Sequence, residues 1–290
     1  MMPLVPSHDV PPGVRPITRS ELVRDLRSLG VRPGGVVMVH TRMSAIGWVV
    51  GAADVVVMAL LDVLGAQGTL MAYAGWNENP WHLDSWPKAW QRAYLDELPP
   101  FDPAVAESDR DVGRIPERIR TWPGARRSAH PEANVVAIGA RAGWIVDPHP
   151  WDFPQGPGSP LARLVESGGQ VLMLGAPLDT ITLLHHAEHL AEGPDKRSVR
   201  RQMPIVEDGR TVWRTYDDID TSAKGAFPYE EVLGPGVDPF ELIGREAVVE
   251  GIGRSGRVGD AQSHLFEVEP LVPFAVRWLE ERFRPKAWRT

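Results

Sequence analysis

The chain has 290 residues, 43% of them hydrophobic, enough to bury one large core or two modest ones. It contains no cysteine, which excludes disulfides, thiolate metal sites and a cysteine nucleophile, and which fits a reducing cytoplasm. A formal net charge of −7 argues against nucleic acid and favours a cationic ligand, and no run of about 18 apolar residues is present to span a membrane.

Met1 to Pro16 is Pro-rich without an apolar stretch of the signal-peptide kind, so residues 1–16 are expected to form a loose arm and 17–290 a single domain. Thr18-Arg19-Ser20-Glu21 is a capping box, after which Leu22, Val23, Leu26 and Leu29 repeat at helical spacing up to Gly30. Val36-Val37-Met38-Val39, bounded by Gly35 and His40, reads as a buried strand. Ala52 to Leu64 reads as a helix ended by Gly65, and Thr69 to Tyr73 as the next strand. Residues 76–125 form a candidate subdomain or lid. Asn134 to Ile138 and Gln170 to Leu174 have the pattern of further core strands, with helices near Pro160 to Glu166 and Thr180 to Ala191. The Asp208-Gly209 pair signals a hairpin, and Leu271 to Arg282 reads as a closing helix with Trp278 and Leu279 on its apolar stripe. Short apolar strands alternating with helices predict an α/β/α layered domain with a central, mainly parallel or mixed sheet and an added antiparallel hairpin.

The segment after Gln170–Leu174 carries the strongest chemical signal. Gly175 ends the strand, a short loop follows, and Asp179 or Thr180 can cap the next helix. On that helix His185, Glu188 and His189 stand at i, i+3 and i+4 and share one face. A titratable histidine with a carboxylate one turn away suits general-base chemistry near neutral pH; a plain polar helix face fits the spacing equally well. A metal pair at His185 and His189 is a third reading. The metalloprotease order places Glu directly after the first His, whereas Glu188 precedes the second, so that motif fails.

His40-Thr41-Arg42-Met43-Ser44 follows the first core strand, and ligands of α/β sheets bind beyond C-terminal strand ends. His40 and His185 therefore could face one cleft, although a lone histidine at a strand end is also an ordinary structural residue. No dinucleotide fingerprint, P-loop or nucleophile elbow is present. Trp76, Trp81, Trp86 and Trp90, with Glu78 and Asp84 among them, suit either cover for a core edge or stacking on a cationic sugar. Asp217, Asp218 and Asp220 suit a solvated turn or a focus of negative potential. Arg126-Arg127-Ser128 offers guanidiniums and a hydroxyl suited to phosphate, and Lys196, Arg197, Arg200 and Arg201 form a second basic group.

Taken together these segments resemble the aminoglycoside 3-N-acetyltransferase family, the kind unrelated to the general N-acetyltransferase superfamily. The resemblance runs from about Ser20 to Glu281, through Val39-His40-Thr41-Arg42-Met43-Ser44, Gly68-Thr69-Leu70-Met71, Gly75-Trp76-Asn77-Glu78 and Phe101-Asp102-Pro103. It continues through Arg127-Ser128-Ala129-His130-Pro131, Gly158 to Leu164, Leu174 to Glu188 and Gly256 to Ala261. It implies acetyl-CoA as donor, the 3-amino group of a 2-deoxystreptamine aminoglycoside as acceptor, no metal, and His185 as the catalytic histidine. Glu188 or Asp220 is then expected to orient His185, with His40 as a second catalytic candidate. CoA is expected along His40, Thr41, Ser44, Arg127, Ser128 and Thr180, with Thr180 and nearby backbone N–H groups as donors to the thioester oxygen. The drug's ammonium groups are expected at Trp76, Glu78, Asp179, Asp218 and Asp220. Without a cysteine, direct transfer in a ternary complex is favoured over an acetyl-cysteine intermediate. A homodimer is left open, as are a metal-dependent hydrolase built on His185 and His189 and a sequestering binder without turnover.

Overall fold

The computed structural model describes residues 13–78, 83, 85–221 and 225–284, so Trp81, Asp84 and residues 1–12 of the expected arm lie outside the described residues. The strands in chain order are β1 (Pro16–Ile17), β2 (Val36–Thr41), β3 (Trp48–Val49), β4 (Thr69–Tyr73), β5 (Arg126–Arg127), β6 (Val135–Gly139), β7 (Gln170–Leu174), β8 (Ser198–Glu207), β9 (Arg210–Ile219), β10 (Gly253–Val258) and β11 (Ala261–Glu267). Seven of them form the main sheet in the order β10-β11-β7-β2-β4-β6-β5. Only its centre is parallel, where β2 lies between β4 and β7; the other four pairings are antiparallel. The sheet is therefore mixed, and the mainly parallel alternative does not hold.

Alternation along the strands builds two cores. Val36, Met38, Met71, Val135, Ala137, Val171 and Met173 face one side, against the helices Pro160–Glu166, Leu183–Leu190, Pro239–Val249 and Val268–Arg282. Val37, Val39, Leu70, Ala72, Val136, Ile138, Leu172 and Leu174 face the other, against Arg19–Leu29, Ala52–Leu64 and Arg114–Arg120. Helices on both faces explain why these strands read as continuous apolar runs. Each fully buried Val, Leu or Phe contributes roughly 1.5–3 kcal/mol of transfer free energy, and Trp278 and Leu279 of the closing helix are both buried.

Local signals act as expected at several ends. Thr18 caps Arg19–Leu29 by accepting from the Glu21 N–H, and Gly30 closes it in the left-handed conformation at φ 106°. The Asp208-Gly209 turn has both residues at positive φ, as a two-residue hairpin demands. That hairpin, β8–β9, forms its own two-stranded sheet. It is tied down by a bridge between Phe101 and Ile205 and by a small core of Trp76, Leu98, Phe101, Met203 and Tyr216. The antiparallel extension of the main sheet comes instead from β10–β11, turning at Gly259-Asp260. The helix expected from Thr180 begins later: Leu178–Thr180 is a single 3₁₀ turn and the α-helix spans Leu183–Leu190.

Candidate active site

Parallel pairing brings the two histidine segments together. β2 and β7 run in the same direction with His40 opposite Met173 and Thr41 opposite Leu174, so both chains leave the sheet at one edge. The cavity beyond that edge has a volume of about 370 Å³. His40, Thr41, Asp111, Asp179, Thr180 and His185 all line it, with Phe240 and Tyr73 completing the wall. Asp111 comes from the 76–125 region, so that region contributes to the site.

His185 sits at the edge of the helix Leu183–Leu190 with 27% of its side chain exposed, while Glu188 one turn on is 3% exposed. Glu188 Oε2 lies 2.6 Å from His185 Nδ1. The contact suits a carboxylate accepting from a proton on Nδ1, the tautomer that leaves the Nε2 lone pair free for chemistry. The other carboxylate oxygen accepts from the Tyr229 hydroxyl. The ring of Phe240 meets the His185 ring edge-on at 4.7 Å and limits its rotation. Glu188, not Asp220, is thus the group that holds His185: Asp220 faces the Arg201 guanidinium at 3.8 Å.

His189 uses both ring nitrogens on protein oxygens, Nδ1 on the His185 carbonyl at 2.7 Å and Nε2 on Asp218 at 2.9 Å. It does not line the cavity with His185, and among the described residues no group of three or more potential metal ligands gathers, so the structure gives the hydrolase reading no support. Asp218, 1% exposed, is likewise committed to His189 and does not line the cavity.

Other expected contacts resolve differently. Arg127 lies outside the lining of this cavity, and its guanidinium is engaged by protein groups. It donates to the carbonyls of Gly75 and Ala106 and to the Asn134 side chain and stacks over Phe101 at 5.0 Å; burial pulls its pKa down to about 10. Ser128 is buried and accepts from the Val135 N–H. Ser44 is exposed on the turn Met43–Ile46 outside the cavity lining. Trp76 is core, packed on Phe101 at 5.4 Å, and Glu78 accepts from the Tyr94 hydroxyl. Thr180 lines the cavity, but its hydroxyl donates to the Pro177 carbonyl at 2.7 Å, so it does not serve as the oxyanion donor in this arrangement.

Two groups in the cavity wall remain unsatisfied: His40 Nε2 and Thr41 Oγ1 are buried without a hydrogen-bond partner among the described residues. Burial lowers the His40 pKa to about 4, so it is neutral at physiological pH. Asp179 is shifted upward by burial and by the negative charge of Asp238 and Glu241.

Sequence reasoning missed Asp111, Tyr229 and Phe240. Phe240 had a usable signal, because Asp238 caps the helix Pro239–Val249 with Pro at its first position and accepts from the Glu241 N–H. Tyr229 had none. The structural role of Arg127 predicts that Arg127→Ala lowers the free energy of unfolding in urea by about 2–4 kcal/mol, by stranding buried carbonyls. Unchanged stability would return the guanidinium to a ligand-binding role.

The family profile for aminoglycoside 3-N-acetyltransferase matches residues 38–280. The aminoglycoside N(3)-acetyltransferase VIII of Streptomyces fradiae is 54% identical over 268 residues, covering 92% of this chain and 93% of that protein. The crystal structure of the aminoglycoside acetyltransferase AAC(3)-Xa superposes with a TM-score of 0.89 at 51% identity, covering 93% of this chain and 94% of that one. The structure of AAC-IIIb as a binary complex with CoASH gives 0.83 at 42% identity, covering 93% and 98%. With the profile covering most of the sequence and these relatives matched over more than nine-tenths of the chain, the chain belongs to the aminoglycoside 3-N-acetyltransferase family.

Proposed function

We propose that this protein acetylates the 3-amino group of a 2-deoxystreptamine aminoglycoside in a ternary complex with acetyl-CoA, with His185 as general base. The activity and its donor follow from the family: this is an acetyl-CoA-dependent aminoglycoside 3-N-acetyltransferase of antibiotic resistance. The observation that carries the residue assignment is the 2.6 Å contact between His185 and buried Glu188. It leaves Nε2 of a cavity-lining imidazole as the free base.

In this reading Nε2 removes a proton from the amine as its nitrogen attacks the thioester carbonyl carbon, and Glu188 stabilises the imidazolium that forms. The new C–N bond replaces the C–S bond, and the imidazolium returns its proton to the departing thiolate, giving CoASH and the amide. Neutral His40 and the Thr41 hydroxyl, both unpartnered in the wall, suit the amide-bearing pantetheine arm and the thioester oxygen, where fixed donors stabilise developing negative charge. Asp111 and Asp179 supply the acidic side of the cavity. The like charges around Asp179 are relieved when an ammonium group enters, so the repulsion favours a polycationic acceptor. The net charge of −7 acts in the same direction. Among the described residues no helix is long and apolar enough to cross a membrane, and we place the reaction in the cytoplasm, where acetyl-CoA is available.

Two tests follow from the cavity. His185→Ala is expected to cut kcat by roughly 10² to 10⁴ while both ligands still bind. The rate is expected to fall on acidification, because an imidazolium cannot accept the amine proton; His186→Ala keeps this acid limb in place, since that ring is buried against the Gln155 carbonyl on another face. Near-normal turnover by His185→Ala with His40→Ala inactive would move the base to His40. Separately, Asp179→Asn raises the Michaelis constant for the drug and flattens its salt dependence with little change in that for acetyl-CoA. An unchanged salt dependence would place the acceptor away from Asp179.

A further inference from the structure

We propose that the loop of residues 147–158 is an acid-released clamp, held closed by two facing histidines, His130 and His149, only while both rings are uncharged. The loop fastens the β8–β9 hairpin to the helix Leu183–Leu190. On the hairpin side the Phe153 N–H donates to the Asp217 carbonyl at 2.8 Å and Asp152 accepts from the Asp217 N–H at 2.9 Å. The Trp151 indole adds a bond to the Thr215 carbonyl at 2.7 Å. On the helix side the Gln155 carbonyl accepts from His186 Nδ1 at 2.8 Å. Phe153 holds φ at 51°, a left-handed conformation rare for so large a side chain, so the closed loop carries strain that opening relieves.

The two rings are built for the neutral state. His130 is 1% exposed, contacts Trp151 and Tyr216 at 4.9 Å each and lies 5.3 Å from the His149 ring. Its Nδ1 faces the N–H groups of Glu132 and Ala133. Backbone N–H groups only donate, so Nδ1 accepts and the neutral ring carries its proton on Nε2. His149 Nε2 lies 2.8 Å from the Pro154 carbonyl, which only accepts, so the lone pair of that ring is on Nδ1. His130 Nε2 and His149 Nδ1 are both buried without a hydrogen-bond partner among the described residues. A proton added to His130 enters at Nδ1 and breaks two backbone contacts; one added to His149 enters at Nδ1, where no partner meets it. Neither ring lines the cavity that holds His185.

The surrounding charges oppose protonation or are already engaged. Burial, His149 and Arg214 hold His130 well below the usual histidine value. Burial, reinforced by Arg163, lowers His149 to about 4. The Trp151 backbone and the Pro154 carbonyl act the other way and are outweighed. Arg214 stacks over Trp151 at 4.5 Å, Glu132 is bonded to Arg201 and Tyr216, and Asp217 is paired with Arg200. Asp147 and Asp152 belong to the loop, with His186 on Gln155 and His189 against Phe153. An open loop returns both rings to water and to about 6.5. Between about 6.5 and about 4 the open form therefore takes up protons that the closed form does not, so the clamp weakens as pH falls through that window and is intact above it.

Hydrogen–deuterium exchange on the full chain, corrected for the intrinsic pH dependence of amide exchange, tests the clamp. From about pH 7.5 to about pH 5, protection within 147–158 is expected to fall at least about tenfold, the change that one extra proton brings per pH unit. β2 and β7 keep their protection, and the loop recovers on return to neutral pH. His130→Asn keeps an acceptor in place of Nδ1 and His149→Gln keeps a donor in place of Nε2, and neither side chain titrates. Their double variant is expected to hold loop protection within about twofold over the same range, and each single variant to lose less than the wild type. A wild-type loop indifferent to pH, or an undiminished loss in the double variant, overturns the proposal. So does simultaneous loss in β2 and β7, which is global unfolding. Where the double variant does not fold, the wild type and the single variants decide: an unchanged loss in both singles overturns it as well.

Discussion

A carboxylate buried beneath a partly exposed imidazole is the constraint on which the rest of this site depends. Glu188 faces the core side of the helix Leu183–Leu190 while His185 faces the cavity, so one turn of helix spans the boundary between protein interior and ligand. Burying Glu188 is tolerable only because His185 and Tyr229 both donate to it. The same burial keeps water from competing for Oε2, which makes the tautomer of His185 a property of the fold and not of the solvent. Removing either donor changes the other's interaction.

Sheet topology supplies the position. Among the described residues the parallel pairings of the main sheet are those of β2 with β4 and with β7, and the cavity opens where β2 and β7 end together. The antiparallel strands that flank them, β6 with β5 and β11 with β10, extend the two cores without adding to the site. Apolar cover on both faces makes the strand ends rigid, and rigid ends hold His40, Thr41 and the His185 helix in a fixed relation. The small core beneath the β8–β9 hairpin, built on Trp76, Phe101 and Tyr216, does the same for the segment leading to Asp218.

Local pattern made the framework legible. The apolar runs at Val36–Val39 and Gln170–Leu174, the box at Thr18, the Asp208-Gly209 turn and the i, i+3 spacing of His185 and Glu188 each correspond to an observed element or contact. Polar residues were far less legible, because a charged side chain does not reveal its partner. Arg127 and Ser128 look like phosphate ligands in sequence, yet satisfy carbonyls and N–H groups of neighbouring loops. Asp218 and Asp220 look like an open acidic patch, yet are claimed by His189 and Arg201. Tyr229 reaches Glu188 from 41 residues away, a distance over which no periodicity carries information. The start of the histidine helix was misplaced for a subtler reason: Asp179 and Thr180 are good capping types, but Thr180 spends its hydroxyl on Pro177 within a 3₁₀ turn.

The central claim is that Glu188 fixes the proton on Nδ1 and leaves Nε2 as the base. The most direct measurement is nitrogen NMR of the protein carrying ¹⁵N-labelled histidine, with the His185 signals assigned by their loss in a His185 variant. Above the acid limb of the rate profile, the account predicts a protonated Nδ1 and an unprotonated Nε2 for His185, with that preference lost in Glu188→Gln. A His185 found with its proton on Nε2, or a tautomer indifferent to Glu188→Gln, would contradict it.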